Sequence, residues 1–255
     1  MIPLPDVFRT RPLAHRALHD VASGRPENGH SAISAAMAHG YGIEIDVQLS
    51  ADGVAVVFHD YALDRLTDER GPVRLREWSE LSTIPLAGGA GECIPSLAQV
   101  LAQVAGKVPV LIEIKDQDGA MGRDVGPLEN AVARDLIGYG GPVAVMSFNP
   151  HSVEAFAKVS PETPIGLTTS AYVVSEWPLT AATCDRLREI PDADRLNISF
   201  ISHEASDLGR PRVAALRDRG CAILCWTVRS LAQEDKAREV AANITFEGYL
   251  PEFPA

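Results

Sequence analysis

The sequence predicts an α/β fold, a single (β/α)8 TIM barrel over residues 1–255 with an extra β-hairpin strand after strand 2. Apolar, β-branched runs alternate with amphipathic stretches, a pattern typical of βα units and a mostly parallel sheet. The runs number eight, which is the count that a closed barrel needs. A length of 255 residues suits one barrel and is also admissible as two small domains, but no linker marks a second domain.

The predicted strands and helices alternate along the whole chain. The eight strands are predicted at about 13–17, 42–48, 109–115, 143–148, 164–169, 196–201, 222–228 and 243–247. The helical patterns between them lie near 31–39, 96–106, 128–139, 151–159, 179–189, 210–219 and 230–241.

One segment breaks this alternation. The residues Ser-Ala-Asp-Gly at 50–53 lead directly into a second extended run, with no helix between the two runs. Asp-Gly between extended runs is typical of a tight hairpin, whereas a parallel neighbour needs a connection of about a dozen residues. We therefore predict that 54–59 runs antiparallel to 42–50 and lies outside the eight strands. The stretch at about 60–95, with its Pro and Gly residues, is predicted to be a short insertion of functional loops.

Composition restricts the partners and the compartment. The formal net charge of −11 repels polyanions, so neither nucleic acid nor an anionic membrane is expected as a partner. No run of about 18 apolar residues and no secretory leader pattern is present, so no stable membrane association is expected. The four cysteines are too sparse for a disulfide framework and do not have zinc-site spacing, which favours a cytoplasmic protein.

Acidic residues cluster on two predicted strands. Glu44 and Asp46 are two residues apart and therefore share one strand face, and Glu113 and Lys115 repeat that spacing. Neighbouring carboxylates at the carboxyl end of a barrel strand repel each other unless a divalent cation neutralises them, and oxygen ligands suit Mg²⁺ or Ca²⁺. Glu113 could supply a third carboxylate, and Lys115 could bind a phosphate oxygen. The alternatives are solvated acids on a hairpin edge and a surface Glu–Lys pair.

Histidine 59 is predicted to lie beside these carboxylates. If Asp52 and Gly53 form a two-residue turn, Asp46 faces His59, and a slip of one residue pairs Glu44 with His59 instead. Both registers place His59 on the carboxylate face. The alternative is a histidine that ends an edge strand and forms only local hydrogen bonds.

A second basic pair follows the first predicted strand. His15 titrates near neutrality, which suits proton transfer, and the planar guanidinium of Arg16 suits phosphate. Both residues stand where barrel enzymes place catalytic groups. Asn28, further along, could serve the site or could cap the following helix.

Residues on late strands could complete the pocket. Trp226 could be a core residue or a wall against the alcohol group of a substrate, and an aromatic face there would suit a choline-like cation. His203 and Glu204, past a strand end, could also line the pocket, although no pattern specifically supports this.

Several segments together resemble the glycerophosphodiester phosphodiesterase family. They are AHR…PEN at 14–28, EIDVQLSADGVAVVFHD at 44–60, LDRLT at 63–67, IPSLAQVL at 94–101, IEIK at 112–115, MSF at 146–148, WTV at 226–228 and NITFEGYLP at 243–251. The resemblance implies a (β/α)8 barrel with a variable insertion after the His-Asp pair. It also implies a metal-dependent hydrolase that splits glycerophosphocholine, glycerophosphoethanolamine and similar small molecules into glycerol 3-phosphate and an alcohol.

The resemblance also implies a role for each matching residue. His15 and His59 would be the catalytic general acid and base, and one Mg²⁺ or Ca²⁺ ion would be the cofactor. The metal ligands would be Glu44, Asp46 and Glu113, and the substrate-binding residues would be Arg16, Lys115, Trp226 and Glu27, the last of them close to the metal. One departure is visible, because Ala17 stands where the family has glycine, which concerns the local backbone conformation.

Other functions remain compatible with the same residues. The enzyme could act on lysophospholipids as a lysophospholipase D, against which the acidic surface counts modestly. A non-catalytic barrel that binds phosphate esters would not need every acid and both histidines. A metal-free sugar-phosphate isomerase would typically carry a Gly-rich phosphate loop late in the chain, where Ala241-Ala242-Asn243 offers none. The sequence leaves open the oligomeric state and whether the nucleophile is the substrate 2-hydroxyl or water.

Overall fold

Eight parallel strands close into a ring in the computed structural model, which describes residues 2–254. The strands are β1 (Leu13–Ala14), β2 (Gly42–Leu49), β3 (Ala55–Val57), β4 (Val110–Ile114), β5 (Val143–Ser147), β6 (Ile165–Thr169), β7 (Phe200–Glu204), β8 (Ala222–Val228) and β9 (Asn243–Phe246). The ring runs through all of them except β3, and it closes because β1 pairs with both β2 and β9. The predicted TIM barrel is therefore confirmed.

Helices follow most strands and cover the outside of the ring. They are α1 (Val7–Thr10), α2 (His30–Ala38), α3 (Trp78–Leu81), α4 (Leu97–Val104), α5 (Pro127–Asp135), α6 (Pro150–Val159), α7 (Ala181–Arg188), α8 (Asp192–Leu196), α9 (Pro211–Asp218) and α10 (Leu231–Arg238). Seven of them correspond to the predicted helical patterns, while α1, α3 and α8 are short and were not predicted. Within residues 2–254, no helix has both the length and the apolar composition to cross a membrane.

Side chains alternate between the two faces of the strands. Leu111 of β4 joins an interior cluster, which Leu4 and Phe8 extend at the amino-terminal end of the barrel. Ile112 and Ile114 instead join the larger cluster between strands and helices. This alternation directs Glu113 and Lys115, two and four residues after Leu111, toward the barrel interior, as the sequence predicted. All four cysteines are free, and three of them are buried.

Two of the ring strands differ from their predicted bounds by more than one residue at either end. The first ends at Ala14 because the following residues, Arg16 and Ala17, have φ angles of 54° and 62°, outside the extended region. The seventh was predicted at 196–201 but is β7, which begins at Phe200. The prediction was wrong because α8 extends to Leu196 and Asn197 ends that helix in the left-handed conformation, with φ 52°.

The extra strand lies antiparallel to β2, as predicted, but both predicted registers are wrong. Gln48 pairs with Val56, so the connecting loop has three residues, 51–53, and Gly53 occupies its left-handed position with φ 83°. Asp46 accepts a hydrogen bond from the Phe58 N–H and therefore faces Phe58 rather than His59. Strict alternation would direct His59 away from the carboxylates, but β3 ends at Val57 and the chain turns before it.

The insertion at 60–95 packs on an apolar cluster of its own. The cluster contains Val56, Phe58, Leu63, Val73, Leu81, Ile84, Leu86 and Ile94. Two short 3-10 turns, Leu63–Arg65 and Val73–Leu75, and helix α3 provide Leu63, Val73 and Leu81, and the remaining side chains come from β3 and the connecting segments. The insertion therefore has a fixed position beside the carboxyl end of β2. The single-domain organisation of the chain stays a prediction.

Candidate active site

The carboxyl ends of the strands surround a cavity of about 130 Å³. Its lining residues are His15, Arg16, Glu44, Asp46, His59, Glu113, Lys115, Met146, Phe148, Trp226, Thr227, Arg229 and Thr245. Of the nine residues to which the resemblance gives a role, all except Glu27 line this cavity, whereas Glu204 and Asn28 do not. Catalytic groups of barrel enzymes occupy this same end of the fold.

Three carboxylates form the floor of this cavity. One oxygen each from Glu44, Asp46 and Glu113 lies within 4.8 Å of the others, and all three residues are buried. Parallel pairing of β2 with β4 places Asp46 directly beside Glu113. Burial, together with the charges of Asp46 and Glu113, raises the pKa of Glu44 well above its ordinary value. The cluster is therefore electrostatically unfavourable without a further positive charge.

Two cations lie against the acidic triad. Lys115 Nζ is 2.7 Å from Glu113 Oε1 and 3.4 Å from Asp46 Oδ1, and these carboxylates raise its pKa although burial opposes this. Arg16 Nε is 3.8 Å from Asp46 Oδ2, and its backbone N–H donates to Glu44 at 3.0 Å. Burial opposes ionisation of Asp46 as well, yet Lys115 and the neighbouring cations hold its pKa well below the ordinary value. Three acids against two cations leave the cluster one positive charge short.

Asn28 completes the hydrogen bonding of Asp46. Its side-chain amide donates to Asp46 Oδ2 at 3.1 Å, and its carbonyl oxygen accepts from the Asp46 backbone N–H at 3.3 Å. Asn28 adopts a φ angle of 60°, a conformation that asparagine tolerates better than most residues. Asn28 therefore contacts the acidic cluster, and Gly29 rather than Asn28 occupies the N-cap of α2.

His15 is held by a carboxylate from the other end of the chain. Its Nδ1 is 2.6 Å from Glu247 Oε2, and Arg229 Nε donates to the second oxygen of Glu247 at 2.7 Å. Hydrogen bonds from His15 and His19, opposed by burial, hold the pKa of Glu247 well below its ordinary value. Burial lowers the pKa of His15 itself, which favours the neutral imidazole. With Nδ1 engaged by Glu247, Nε2 is the ring nitrogen left for chemistry.

His59 has the same arrangement with a neighbour in sequence. Its Nδ1 is 2.6 Å from Asp60 Oδ1, and Arg65 donates to both oxygens of Asp60 at 2.7 Å. Gln48 holds the backbone here, since its amide donates to the carbonyls of His59 and Asp60 at 3.1 Å each. These two hydrogen bonds keep the turned segment against β2, which directs the His59 side chain into the cavity despite the unexpected register.

Glu27 stands behind the cavity wall. It accepts a hydrogen bond from Arg16 at 2.8 Å and two from Arg65 at 2.8 and 2.9 Å. Both guanidinium groups hold the pKa of Glu27 below its ordinary value against the effect of burial. It holds the guanidinium of Arg16 from behind, and its predicted role in substrate binding stays a prediction.

An aromatic wall closes one side. Trp226 Nε1 donates to the Ser202 carbonyl at 3.1 Å, and the ring packs edge-on against Phe148 with centroids 5.4 Å apart. The orientation of the indole is therefore fixed from two directions. Trp226 lines the cavity rather than filling the core.

The sequence reading missed four polar residues that support the site. Asp60 and Arg65 carried a usable signal, because Asp60 follows His59 directly and Arg65 lies five residues later in the LDRLT segment. Glu247 and Arg229 gave only the weaker signal that both follow late barrel strands. No spacing rule connects residue 15 with residue 247.

Comparisons with known proteins agree with this geometry. The profile of the Glycerophosphoryl diester phosphodiesterase family matches residues 15–244. A glycerophosphodiester phosphodiesterase from Caldanaerobacter subterraneus subsp. tengcongensis is 33% identical over 67% of this chain and 71% of its own. The Bacillus subtilis protein YhdW is 28% identical over 95% of this chain and 94% of its own.

A solved structure shows the same fold. An Oleispira antarctica phosphodiesterase, determined in complex with the product sn-glycerol-3-phosphate, superposes with a TM-score of 0.76 at 23% identity, covering 93% of this chain and 92% of that one. Together with the family match over most of the sequence, the relatives identify the protein as an enzyme. The chain belongs to the glycerophosphoryl diester phosphodiesterase family.

Proposed function

We propose that the protein hydrolyses glycerophosphodiesters, such as glycerophosphocholine and glycerophosphoethanolamine, to glycerol 3-phosphate and a free alcohol. The observation that carries the proposal is one cavity lined by three buried carboxylates and two histidines whose Nδ1 atoms are each bound to an acid. The Oleispira antarctica phosphodiesterase with bound sn-glycerol-3-phosphate supports the same product here.

The acidic triad fits one divalent cation, Mg²⁺ or Ca²⁺. Glu44, Asp46 and Glu113 offer oxygen ligands only, which hard cations prefer. Burial and the charges of Asp46 and Glu113 raise the pKa of Glu44, and a bound cation would counteract both effects. These three residues would hold the ion. When bound, it would supply Lewis-acid stabilisation of charge on the phosphate oxygens.

Arg16 and Lys115 are the residues proposed to hold the phosphate. Both line the cavity, and Arg16 Nε is buried without a hydrogen-bond partner among residues 2–254, so it can donate to a ligand oxygen. A charged, prearranged donor contributes most where negative charge develops in the transition state. Glu27 orients the guanidinium of Arg16 from behind.

The two histidines are proposed to move the protons. With Nδ1 bonded to Glu247 or Asp60, each ring presents Nε2 as the working nitrogen. One histidine accepts a proton from the nucleophile while the other donates a proton to the leaving alcohol. Each transfer is worth on the order of 10²–10⁴-fold in rate. The nucleophile is the substrate's own glycerol 2-hydroxyl, which forms a cyclic phosphate that water then opens to glycerol 3-phosphate, or alternatively water attacks the diester directly.

The first experiment measures glycerol 3-phosphate release from glycerophosphocholine and glycerophosphoethanolamine with Mg²⁺, with Ca²⁺ and with EDTA. Release that needs a metal and that is lost in His15→Ala is the expected result. The absence of release under all metal conditions would reject this substrate class and turn attention to lysophospholipids. Release that survives EDTA would keep the reaction but overturn the proposed role of the acidic triad.

Thermal unfolding tests the metal site independently of activity. Adding Mg²⁺ or Ca²⁺ to EDTA-treated protein should raise the unfolding midpoint, because a ligand that binds only the folded state stabilises it. The increase should be larger at pH 8 than at pH 5.5. The raised pKa of Glu44 means that a proton competes for the site at the lower pH, so metal binding must displace it. Equal shifts at both pH values would contradict this account of Glu44.

A further inference from the structure

A second, larger cavity adjoins the candidate active site. It measures about 600 Å³, and three residues line both cavities, Trp226, Thr227 and Arg229. Its other walls come from the segments after β6 and β7 and from α10. They are Ser170, Glu176, Trp177, Glu204, Ala205, Ser206, Gln233, Lys236 and Ala237. The size lies within the range of small-molecule sites.

Glu204 is a carboxylate in the wall of this second cavity. It accepts hydrogen bonds from the Ser170 hydroxyl at 2.7 Å, from the Ala171 N–H at 3.0 Å and from the Ser206 hydroxyl. Although burial opposes ionisation, these donors hold the pKa of Glu204 below its ordinary value. All of these hydrogen-bond donors are neutral, and within residues 2–254 Glu204 forms no salt bridge. Glu204 is therefore a carboxylate held ionised without a protein cation.

The charges around the second cavity leave an excess of acid. Arg229 is already paired with Glu247 at 2.7 Å, which leaves Lys236 as the one lining cation without a salt bridge in the described part of the chain. The lining contains two acids, Glu176 and Glu204, and only that one unpaired lysine. The net negative charge favours a ligand that brings a positive charge of its own.

Two indole rings form the aromatic part of the wall. Trp177 and Trp226 both pack against Phe148, with ring centroids 5.1 and 5.4 Å apart, and Trp177 also contacts Tyr172 at 4.8 Å. The packing fixes both tryptophans, so neither needs to reorganise when a ligand arrives. Tryptophan is the aromatic residue that attracts organic cations most strongly.

A phosphodiester carries two substituents that leave phosphorus in different directions. The smaller cavity must hold the phosphate near Arg16 and Lys115 and present the reacting glycerol to the histidines. Its volume is less than a quarter of the second cavity's, so the other substituent passes the shared wall at Trp226 and Thr227.

We propose that the second cavity is the subsite for the leaving alcohol, and that Glu204, Trp177 and Trp226 select alcohols that carry an ammonium group. The inference rests on the proposed function and adds the specificity that it lacks. Quaternary and primary ammonium alcohols share the required chemistry, a compact cation linked to the ester oxygen by a short chain.

The test compares two diesters that differ only in charge. They are glycerophosphocholine and its uncharged analogue, the 3,3-dimethylbutyl ester of glycerol phosphate. The native enzyme should favour the choline ester by about tenfold or more in kcat/KM, and Glu204→Gln should reduce that ratio about tenfold. Glu162→Gln, an exposed acid in the α6–β6 connection, is the matched control and should leave the ratio unchanged.

A second measurement uses only the native protein, so it does not depend on the folding of a variant. Choline should inhibit competitively at about tenfold lower concentration than 3,3-dimethyl-1-butanol, its uncharged isostere. Equal inhibition by both alcohols, or equal kcat/KM for both diesters, would overturn the inference alone. No turnover of either diester would overturn the proposed function and the inference with it.

Discussion

The two histidines of the candidate site have matching partners but different origins. Each ring bonds through Nδ1 to a carboxylate at 2.6 Å, and each carboxylate bonds to an arginine at 2.7 Å. His59 takes its acid from the next residue, whereas the acid of His15 lies 232 residues away. The side chain of His15 is 14% exposed and that of His59 is 29% exposed. The same unit of histidine, acid and arginine therefore forms once between residues close in sequence and once between residues that closure of the barrel brings together.

The difference has an energetic consequence. A hydrogen bond to a buried imidazole has no water to replace it, whereas a more exposed ring can recover part of the loss from solvent. The Glu247 contact should therefore matter more to His15 than the Asp60 contact does to His59. Arg65, in contrast, should matter more than Arg229, because it also bonds to Glu27, the partner of Arg16.

Removing either imidazole should have the largest effect. We expect His15→Ala and His59→Ala each to lower kcat by on the order of 10³-fold, since each removes one proton transfer. Steady-state kinetics with glycerophosphocholine measure the loss, and His39→Ala, an exposed histidine at the end of α2, is the control. A loss confined to one of the two variants would show that the units are not catalytic equivalents.

Neutralising the carboxylate that holds each histidine should lower kcat by different amounts in the two units. Glu247→Gln is expected to lower kcat on the order of 10²-fold, because the amide no longer stabilises the charged or correctly tautomeric His15. Asp60→Asn should cost about tenfold, as His59 is more accessible to water. Glu252→Gln, an exposed acid near Glu247 in sequence, controls for charge. The reverse order of effects would break the argument from burial.

Substitution of the arginines should invert that order. Arg65→Met is expected to raise KM and lower kcat, for a combined loss of about tenfold in kcat/KM, because it releases Asp60 and Glu27 together. Arg229→Met should change kcat/KM only a few-fold. Arg70→Met, an exposed arginine of the same insertion, provides the control. Equal losses for Arg65→Met and Arg229→Met would mean that the link through Glu27 carries no weight.

A change in the backbone near His15, Ala17→Gly, should have the smallest effect of these substitutions. Ala17 has a φ angle of 62°, a conformation that costs an L-residue about 1–2 kcal/mol, so Ala17→Gly relieves strain. The same change removes a buried methyl group and loosens the unfolded chain, which together offset that gain. We expect the free energy of unfolding in urea to change by less than about 0.5 kcal/mol, with kcat unchanged. A gain above about 1 kcal/mol would show that strain dominates.

The barrel itself was predictable because its signal is periodic. Successive side chains of a strand point to opposite faces, so the sequence alone places Leu111, Glu113 and Lys115 on one face of the strand predicted at 109–115 and Ile112 and Ile114 on the other. The predicted strand bounds were wrong where the backbone leaves the extended region, at Arg16 and at Asn197. A left-handed residue that is not glycine leaves no mark in hydrophobic periodicity.

The reactive side chains of the site could be predicted from the sequence, but the residues that hydrogen-bond to the two histidines could not. Acids, histidines and cations stood at strand ends, where topology brings side chains together. The hairpin register failed because Gly53 ends a three-residue loop, which an Asp-Gly pair does not distinguish from a two-residue turn. The Glu247 contact to His15 depends on β9 pairing with β1, a long-range event that no local pattern encodes.

The two-residue strand β1 pairs with one strand that is synthesised early, β2, and one that is synthesised late, β9, so the ring cannot close until β9 has been made. During synthesis Glu44, Asp46 and the His59–Asp60 pair emerge early, whereas the partner of His15 is made 232 residues after it. Until β9 leaves the ribosome, β1 has only one neighbour and His15 has no acid. A chain that ends before β9 would therefore lack both the strand that closes the ring and the acid that holds His15.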